Sequence, residues 1–182
     1  GMGYIEETGA AQYFRDARIS TIYEGTTGIQ AKDLIGRKIA RDQGATAKGL
    51  IAEMRRLDAE LAKAQGEDLK IIRTRLSDGI NALEESINWL VKNYTADVKI
   101  AAAGSVPFLM LLGTVAGGWQ MARAALIAQK RLADGTGDAS FYKAKIGTAR
   151  FYAGHELTKA PALKESIVAG AAGVLALSED QF

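Results

Sequence analysis

The sequence contains no cysteine, one histidine and two prolines. The lack of cysteine excludes disulfide bonds, thiolate zinc sites and cysteine nucleophiles, and one histidine cannot form a multi-histidine metal centre. A serine–histidine–aspartate triad would have to use His155, and no Gly-x-Ser-x-Gly turn accompanies it. We therefore expect no metal site in this chain.

Neither sign of charge is in large excess. Lysine and arginine together number 23 against 21 aspartates and glutamates, which gives a net charge of +2, and the basic residues are dispersed in pairs. A surface that grips nucleic acid needs a concentrated basic field. We expect no nucleic-acid partner. The 182 residues, 48% of them hydrophobic, are enough for a compact domain with a sizeable core.

Long apolar runs are also absent, apart from residues 100–119, which carry no charge. This segment contains Pro107 and four glycines, so a buried helix is the favoured interpretation and membrane insertion is the minor alternative. Met2 is followed closely by Glu6 and Glu7, without the basic and apolar regions of a signal peptide. We expect a cytoplasmic protein with no membrane span.

Apolar residues recur every three or four positions through most of the chain after residue 45, which predicts helices. The longest stripe runs from Leu69 to Val98. A third helix, about 106–132, is apolar nearly all round and is predicted to be the most buried. Strand-like character is confined to the short stretch 19–23. The fold class is therefore all-α, an antiparallel bundle of four to five helices with an irregular N-terminal helix-loop-helix segment.

Several side chains are predicted to have a structural role. Ser105 is predicted to cap the third helix. The last helix is predicted from the spacing of Leu163, Ile167, Ala171, Val174 and Leu177. An aromatic stripe at helical spacing predicts core or interface packing; it consists of Phe141, Tyr142, Phe151 and Tyr152. Trp89 and Trp119 are expected to anchor neighbouring helices.

The first forty residues carry a different pattern, with glycine, threonine and charge in place of apolar stripes. Their recognisable segments are Gly1-Met2-Gly3-Tyr4-x-x-Glu7, Arg15-Asp16-Ala17-Arg18-Ile19 and Ile22-Tyr23-Glu24-Gly25-Thr26-Thr27-Gly28-Ile29-Gln30. Glycines and threonines ahead of a helix supply free N–H groups and hydroxyl caps, which suit an anion. On these residues alone the loop is a helix cap and Glu24 a surface carboxylate. Arg15, Asp16 and Arg18 are predicted to form an ion-pair network that fixes the loop.

Together these three segments strongly resemble the C-terminal signature of flavin-dependent acyl-CoA dehydrogenases. The remainder resembles, less sharply, the extra helical domain of longer members, including the group that acts on methylthiopropanoyl-CoA. The resemblance implies FAD as cofactor, an acyl-CoA substrate and an electron acceptor such as an electron-transfer flavoprotein. It also implies that Glu24 is the general base, that Tyr23 and Gly25 contact the thioester, and that Gly1, Thr26, Thr27 and Gly28 contact FAD.

The resemblance further implies two domains. Residues 1–44 would end the catalytic helical domain, and residues 45–182 would form the additional bundle. Because the family's β-domain has no counterpart here, we expect the chain to be a C-terminal fragment of a longer homo-oligomeric enzyme, inactive and without bound FAD when isolated. Two alternatives stay open: a non-catalytic relative used for assembly or nucleic-acid binding, and a free-standing helical interaction module.

Overall fold

A computed structural model describes residues 1–22 and 25–181. Within these ranges the regular elements are helical and no β-strand is present, which confirms the all-α prediction. The α-helices are α1 (Ala10–Ile19), α2 (Thr27–Asp33), α3 (Ala45–Leu61), α4 (Glu67–Ala96), α5 (Val98–Ala103), α6 (Ser105–Ala133), α7 (Ala139–His155), α8 (Ala160–Ala169) and α9 (Ala171–Val174). A π-helical turn, Leu34–Ile39, continues α2, and short 3₁₀ turns include Met2–Tyr4, Glu6–Thr8 and Leu157–Lys159.

Helix α4 is the centre of the bundle and packs against α3, α6, α7 and α8. Its apolar stripe is buried as predicted, and its buried members are Leu69, Ile72, Leu76, Ile80, Leu83, Ile87 and Leu90. Burying side chains of this kind contributes about 1.5–3 kcal/mol each, so this stripe supplies much of the core. The stripe ends earlier than expected, because α4 stops at Ala96 and Val98 is exposed at the start of α5.

The first two long helices run antiparallel. Gly66, at φ +105°, makes the predicted break between them. Arg55 on α3 then contacts Glu84 on α4 at 2.9 Å, and Arg73 near the start of α4 contacts Asp58 near the end of α3 at 3.1 Å.

The predicted cap at Ser105 is wrong. Ser105 is a buried residue inside α6, and Gly104 precedes the helix. A Cβ at Gly104 would lie 3.3 Å from the carbonyl oxygen of Ile167. The chain therefore breaks at this glycine because α8 passes close to it.

The predicted last helix is too long. Helix α8 ends at Ala169, only the four-residue α9 follows it, and Val174 and Leu177 are exposed. Gly170 and Gly173 each lower helix stability by about 1 kcal/mol relative to alanine, and the exposed side chains beyond them gain no burial to offset that cost.

The strand-like reading of residues 19–23 is also wrong for the part that the structure describes. Ile19 is the last residue of α1, and the N–H of Ile22 donates to its carbonyl at 3.0 Å to form a turn.

Helix α6 is less enclosed than its composition predicts. Phe108, Leu111 and Val115 are completely buried, yet Met110 and Ile127 are 54% and 53% exposed. The reason lies in its neighbours, since α4, α7 and α8 cover it closely while α3 touches it only weakly.

The positions of the tryptophans and of the aromatic stripe agree with the sequence-based predictions to different extents. Trp89 and Trp119 pack partly buried against the core, as expected. Within the stripe, Tyr152 packs against the core, whereas Phe141 and Phe151 are exposed on α7 and are not core residues. For these two, interface packing stays a prediction. Among the described residues, no helix is both long enough and apolar enough to cross a membrane.

Candidate functional site

The motif with Glu24 lies between α1 and α2. Thr21 and Ile22 turn the chain at the end of α1, and Gly25 and Thr26 lead into α2. Tyr23 and Glu24 themselves lie outside the described residues, so the predicted base and one of the two predicted thioester contacts receive no structural description.

Thr26 caps α2. Its Oγ1 accepts a hydrogen bond from the N–H of Ile29 at 3.3 Å, and its carbonyl accepts the N–H of Gln30 at 3.0 Å. These bonds satisfy part of the first turn and fix where the helix starts. The threonine pattern thus has a clear structural role, whatever the loop binds.

The two helices that flank the motif differ in how much of their surface is buried. In α2 and the π turn, Ala31, Ile35 and Ile39 are buried and the two isoleucines belong to the main core. In α1 only Ala11 is buried, while Tyr13 is 77% and Phe14 71% exposed. Helix α1 packs mainly against the two short N-terminal turns. The motif is therefore anchored firmly to the bundle on its C-terminal side alone.

The expected ion-pair network among Arg15, Asp16 and Arg18 is not present in the part of the chain that the structure describes. Arg15 instead pairs with Glu6 at 3.3 Å, Asp16 accepts a hydrogen bond from Gln12 at 2.8 Å, and Arg18 contacts the hydroxyl of Thr21 at 3.2 Å. The prediction failed because each side chain has another partner: Glu6 lies in the turn before α1, and Gln12 and Thr21 lie within four residues of the side chains that they bind. These contacts tie α1 to the preceding turn and to the start of the loop.

The predicted FAD-contacting residues fall in two places. Thr26, Thr27 and Gly28 adjoin one another at the start of α2, where Thr26 and Thr27 are exposed and a Cβ at Gly28 would meet no atom within 4 Å. Gly1 belongs to the first N-terminal turn, where its carbonyl accepts the N–H of Tyr4 at 3.0 Å. Thr26, Thr27 and Gly28 thus offer an open surface that fits one side of a flavin site, whereas a Cβ at Gly25 would lie 3.2 Å from Nε2 of Gln30. These residues do not enclose the flavin site.

A cavity in the N-terminal segment was missed by the sequence reasoning. It has a volume of about 530 Å³ and is lined by Gly3, Tyr4, Glu6, Ala11, Phe14 and Arg15. The only sequence signal was that Tyr4, Phe14 and Arg15 occur within or beside the recognised segments. Its walls combine aromatic surface with one ion pair.

Asp42 sits at the junction between the N-terminal segment and the bundle. Its carboxylate accepts the N–H of Gly44 at 3.0 Å and the N–H of Thr46 at 2.9 Å, at the beginning of α3. Hydrogen bonds from the hydroxyl and then the N–H of Thr46 lower the pKa of Asp42 below its ordinary value of 3.8. The ionised carboxylate therefore stabilises this junction.

Comparison with known families assigns the class of protein. Residues 50–178 match a family described as acetyl-CoA dehydrogenase C-terminal like, and residues 1–40 match the C-terminal domain of acyl-CoA dehydrogenases. The chain belongs to the acyl-CoA dehydrogenase family.

Individual relatives agree with that assignment. The chain is 48% identical to the 3-methylmercaptopropionyl-CoA dehydrogenase of Ruegeria pomeroyi, over 89% of this chain and 27% of the relative. It is 35% identical to a broad-specificity linear acyl-CoA dehydrogenase of Mycobacterium tuberculosis, over all of this chain and 31% of the relative. It is 30% identical to a butyryl-CoA dehydrogenase of Syntrophomonas wolfei, over 84% and 25% respectively. The chain spans about a quarter to a third of the length of these relatives.

Proposed function

We propose that the chain acts as the C-terminal part of an acyl-CoA dehydrogenase that introduces a double bond between the α and β carbons of an acyl-CoA thioester. Residues 1–44 would complete the catalytic domain and residues 45–182 would form an additional helical bundle. The observation that carries the proposal is the Tyr23-Glu24-Gly25-Thr26 motif, which lies inside the segment that matches the acyl-CoA dehydrogenase C-terminal domain.

Glu24 is the residue we assign to the proton transfer. Its carboxylate would take the proton from the α carbon of the thioester, and the electron pair of that C–H bond would form the new carbon–carbon double bond. FAD, when bound, accepts the hydride that leaves the β carbon. The α C–H is weakly acidic, so the base needs a water-poor site that raises its pKa, and the thioester oxygen needs hydrogen-bond donors.

The other motif residues would position these groups. Thr26 sets the start of α2 through its capping hydrogen bond, and α2 is held by the buried Ala31. Gly25 and Tyr23 would lie against the thioester. Thr27 and Gly28 would present exposed backbone to one side of the flavin, with Gly1 as a further contact from the N-terminal turn. The remaining walls would come from chain outside residues 1–182 or from another subunit.

The choice of substrate follows the relatives. Because the 48% identical relative acts on 3-methylmercaptopropionyl-CoA by name, that thioester is the first substrate we propose, and butyryl-CoA is the comparison. We further propose a cytoplasmic homo-oligomer that passes electrons to an electron-transfer flavoprotein.

The test is anaerobic flavin reduction in the longer polypeptide that carries this sequence. Glu24→Gln should slow reduction by about 10²–10⁴-fold while leaving flavin content and thioester binding unchanged, because the change removes the base and keeps the shape. Glu67→Gln, which changes an exposed carboxylate at the start of α4 outside the signature, is the control and should keep the native rate. Reduction by the Glu24 variant within tenfold of wild type would place the base elsewhere.

A further inference from the structure

A cleft runs between α3 and α6 on the side of the bundle away from α7. At one end the π turn Leu34–Ile39 enters this cleft, contacts α3, α4 and α6, and buries Ile35 and Ile39. At the other end, beyond Trp119, no described segment fills the cleft. Two adjoining cavities occupy that end.

These cavities form one groove. Their volumes are about 510 and 480 Å³, and they share Glu60, Leu126 and Lys130 in their walls. The groove follows α6 from Trp119 to Ala133, about 21 Å at 1.5 Å per residue. Each volume lies in the range typical of small-molecule sites, about 300–1,000 Å³. None of the lining residues belongs to segment 1–44, so the groove is separate from the Glu24 motif.

The groove is largely apolar towards Ala64 and about half polar near Trp119. Leu57 and Leu126 line it although each is only 7% exposed, and Ile127 presents a half-exposed side chain. Ala64 and Ala133 line the far end and leave room there. A linear hydrocarbon chain would cover this surface, and burying it would be favourable at about 25 cal/mol per Å².

The rim of the groove carries an excess of positive charge. Four basic side chains line it, against two acidic ones: Arg56, Lys63, Arg123 and Lys130 against Glu53 and Glu60. Arg56 pairs with Glu53, and Lys130 lies 4.0 Å from Glu60. Arg123 instead lies over the ring of Trp119, 5.9 Å from its centroid, and contacts the amide oxygen of Gln120. Its guanidinium group is thus placed to receive an anion beside an aromatic wall.

Trp119 lines the same end of the groove as Arg123. Its Nε1–H is buried and has no hydrogen-bond acceptor among the described residues. A buried donor without a partner costs about 1–3 kcal/mol.

We propose that the α3–α6 groove binds a linear-chain amphiphile with an anionic head group. The head group lies at Arg123 and Arg56, beside Trp119, and the hydrocarbon chain lies over Leu57 and Leu126 towards Ala64. The anionic end is a fatty carboxylate, whose two oxygens match the planar fork of the Arg123 guanidinium group; an acyl-CoA thioester is the alternative that the titration below distinguishes. This site does not depend on the proposed catalytic function, because it shares no residue with the motif.

The test uses the two tryptophans as position reporters. In Trp89→Phe the only tryptophan is Trp119, in the groove; in Trp119→Phe the only one is Trp89, which lies in a different depression near α8 and α9. Each chain is titrated below the micellar concentration with dodecanoate, dodecanoyl-CoA or dodecyltrimethylammonium. We expect saturable changes in Trp119 emission with an anionic amphiphile and binding at least tenfold weaker for the cation. The tighter of the two anions identifies the source of the head group.

Arg123→Gln should weaken binding of the anion by about tenfold, because it removes a charge-assisted contact. Arg131→Gln, also exposed on α6 but outside the groove lining, is the matched control and should bind as wild type. Calorimetry on the same variants gives a second readout that does not depend on fluorescence. The proposal is overturned by no saturable binding, by equal binding of the cation, or by equal losses in the two arginine variants. Failure here would leave flavin reduction and its dependence on Glu24 untouched, so the two proposals fail separately.

Discussion

The side chain of Leu157 fills the space beside Gly118. A Cβ at Gly118 would lie 2.5 Å from Cδ2 and 2.8 Å from Cδ1 of this leucine, which is only 1% exposed. The same leucine approaches Gly79 on α4, where a Cβ would be 3.4 Å from Cδ2. Leu157 follows α7 directly, so two glycines and one leucine fix how the end of α7 meets α4 and α6.

Gly118→Ala should therefore destabilise the bundle by about 1–3 kcal/mol, because the new methyl group overpacks against a side chain that has no free space. Gly113→Ala is the matched control in the same helix, where a Cβ meets nothing within 4 Å. It should stabilise by up to about 1 kcal/mol through helix propensity. Urea unfolding measures both, and equal effects of the two substitutions would show that Leu157 is not the cause.

Tyr152 should show energetic coupling to Gly117. Its hydroxyl donates to the carbonyl of Thr114 at 3.0 Å, and a Cβ at Gly117 would overlap that hydroxyl. Tyr152→Phe alone should cost about 0.5–1.5 kcal/mol for the lost hydrogen bond. The double variant with Gly117→Ala should cost less than the sum of the single variants, because removing the hydroxyl relieves part of the overlap. Strict additivity in a double-mutant cycle would contradict this contact.

The hydrogen bonds of Asp42 predict that the free energy of unfolding depends on pH. Hydrogen bonds from Thr46 and Gly44 lower its folded-state pKa, so its contribution is fully present above the ordinary value of 3.8 and disappears as the pH falls through the lowered value. Asp42→Asn should melt below wild type at neutral pH, and the difference should shrink as the pH falls below the ordinary value of 3.8. Glu7→Gln removes the same charge from an exposed position and controls for net charge. A constant difference in Tm across this range would refute the role of Asp42.

Helix α1 should exchange its amide hydrogens much faster than α4. Ala11 is its only buried residue, while α4 carries the central core stripe. Ordering a residue costs about 1–2 kcal/mol of backbone entropy, which α1 has little burial to offset. Hydrogen exchange on the 182-residue chain at low concentration measures the difference. Protection of residues 10–19 equal to that of residues 76–90 in a monomer would contradict the prediction, whereas protection that rises with concentration would indicate self-association.

The sequence predicted the central helices well because their apolar residues recur at helical spacing. Leu69 to Leu90 follow three- and four-residue steps, and Gly66 with its positive φ marks the break before them. The end of α8 was not predictable in this way, since Val174 and Leu177 continue the apolar spacing but find no partner. The exposed face of α6 was not predicted for a related reason. The composition shows that Ile127 is apolar but not which neighbouring helix covers it.

The candidate site was likewise predictable only in part. The motif predicted the cap at Thr26 and the helix behind it, because hydroxyl capping is a local interaction. The partners of Arg15 and Asp16 were missed, since Arg15 pairs with Glu6 in the turn before α1 and Asp16 bonds to Gln12 one helical turn back. The α3–α6 groove had no motif at all. Its residues come from two helices and meet only after folding.

Exchange of the α hydrogen tests most directly that Glu24 is the base. The longer polypeptide that carries this sequence is incubated in D₂O with an acyl-CoA analogue that has sulfur at the β position and so cannot lose a hydride. Proton removal is then observed without oxidation. We predict that wild type and Glu67→Gln incorporate deuterium at the α carbon and that Glu24→Gln does so at least about 100-fold more slowly. Exchange by Glu24→Gln at the wild-type rate, with the analogue bound equally well, would contradict the assignment of Glu24.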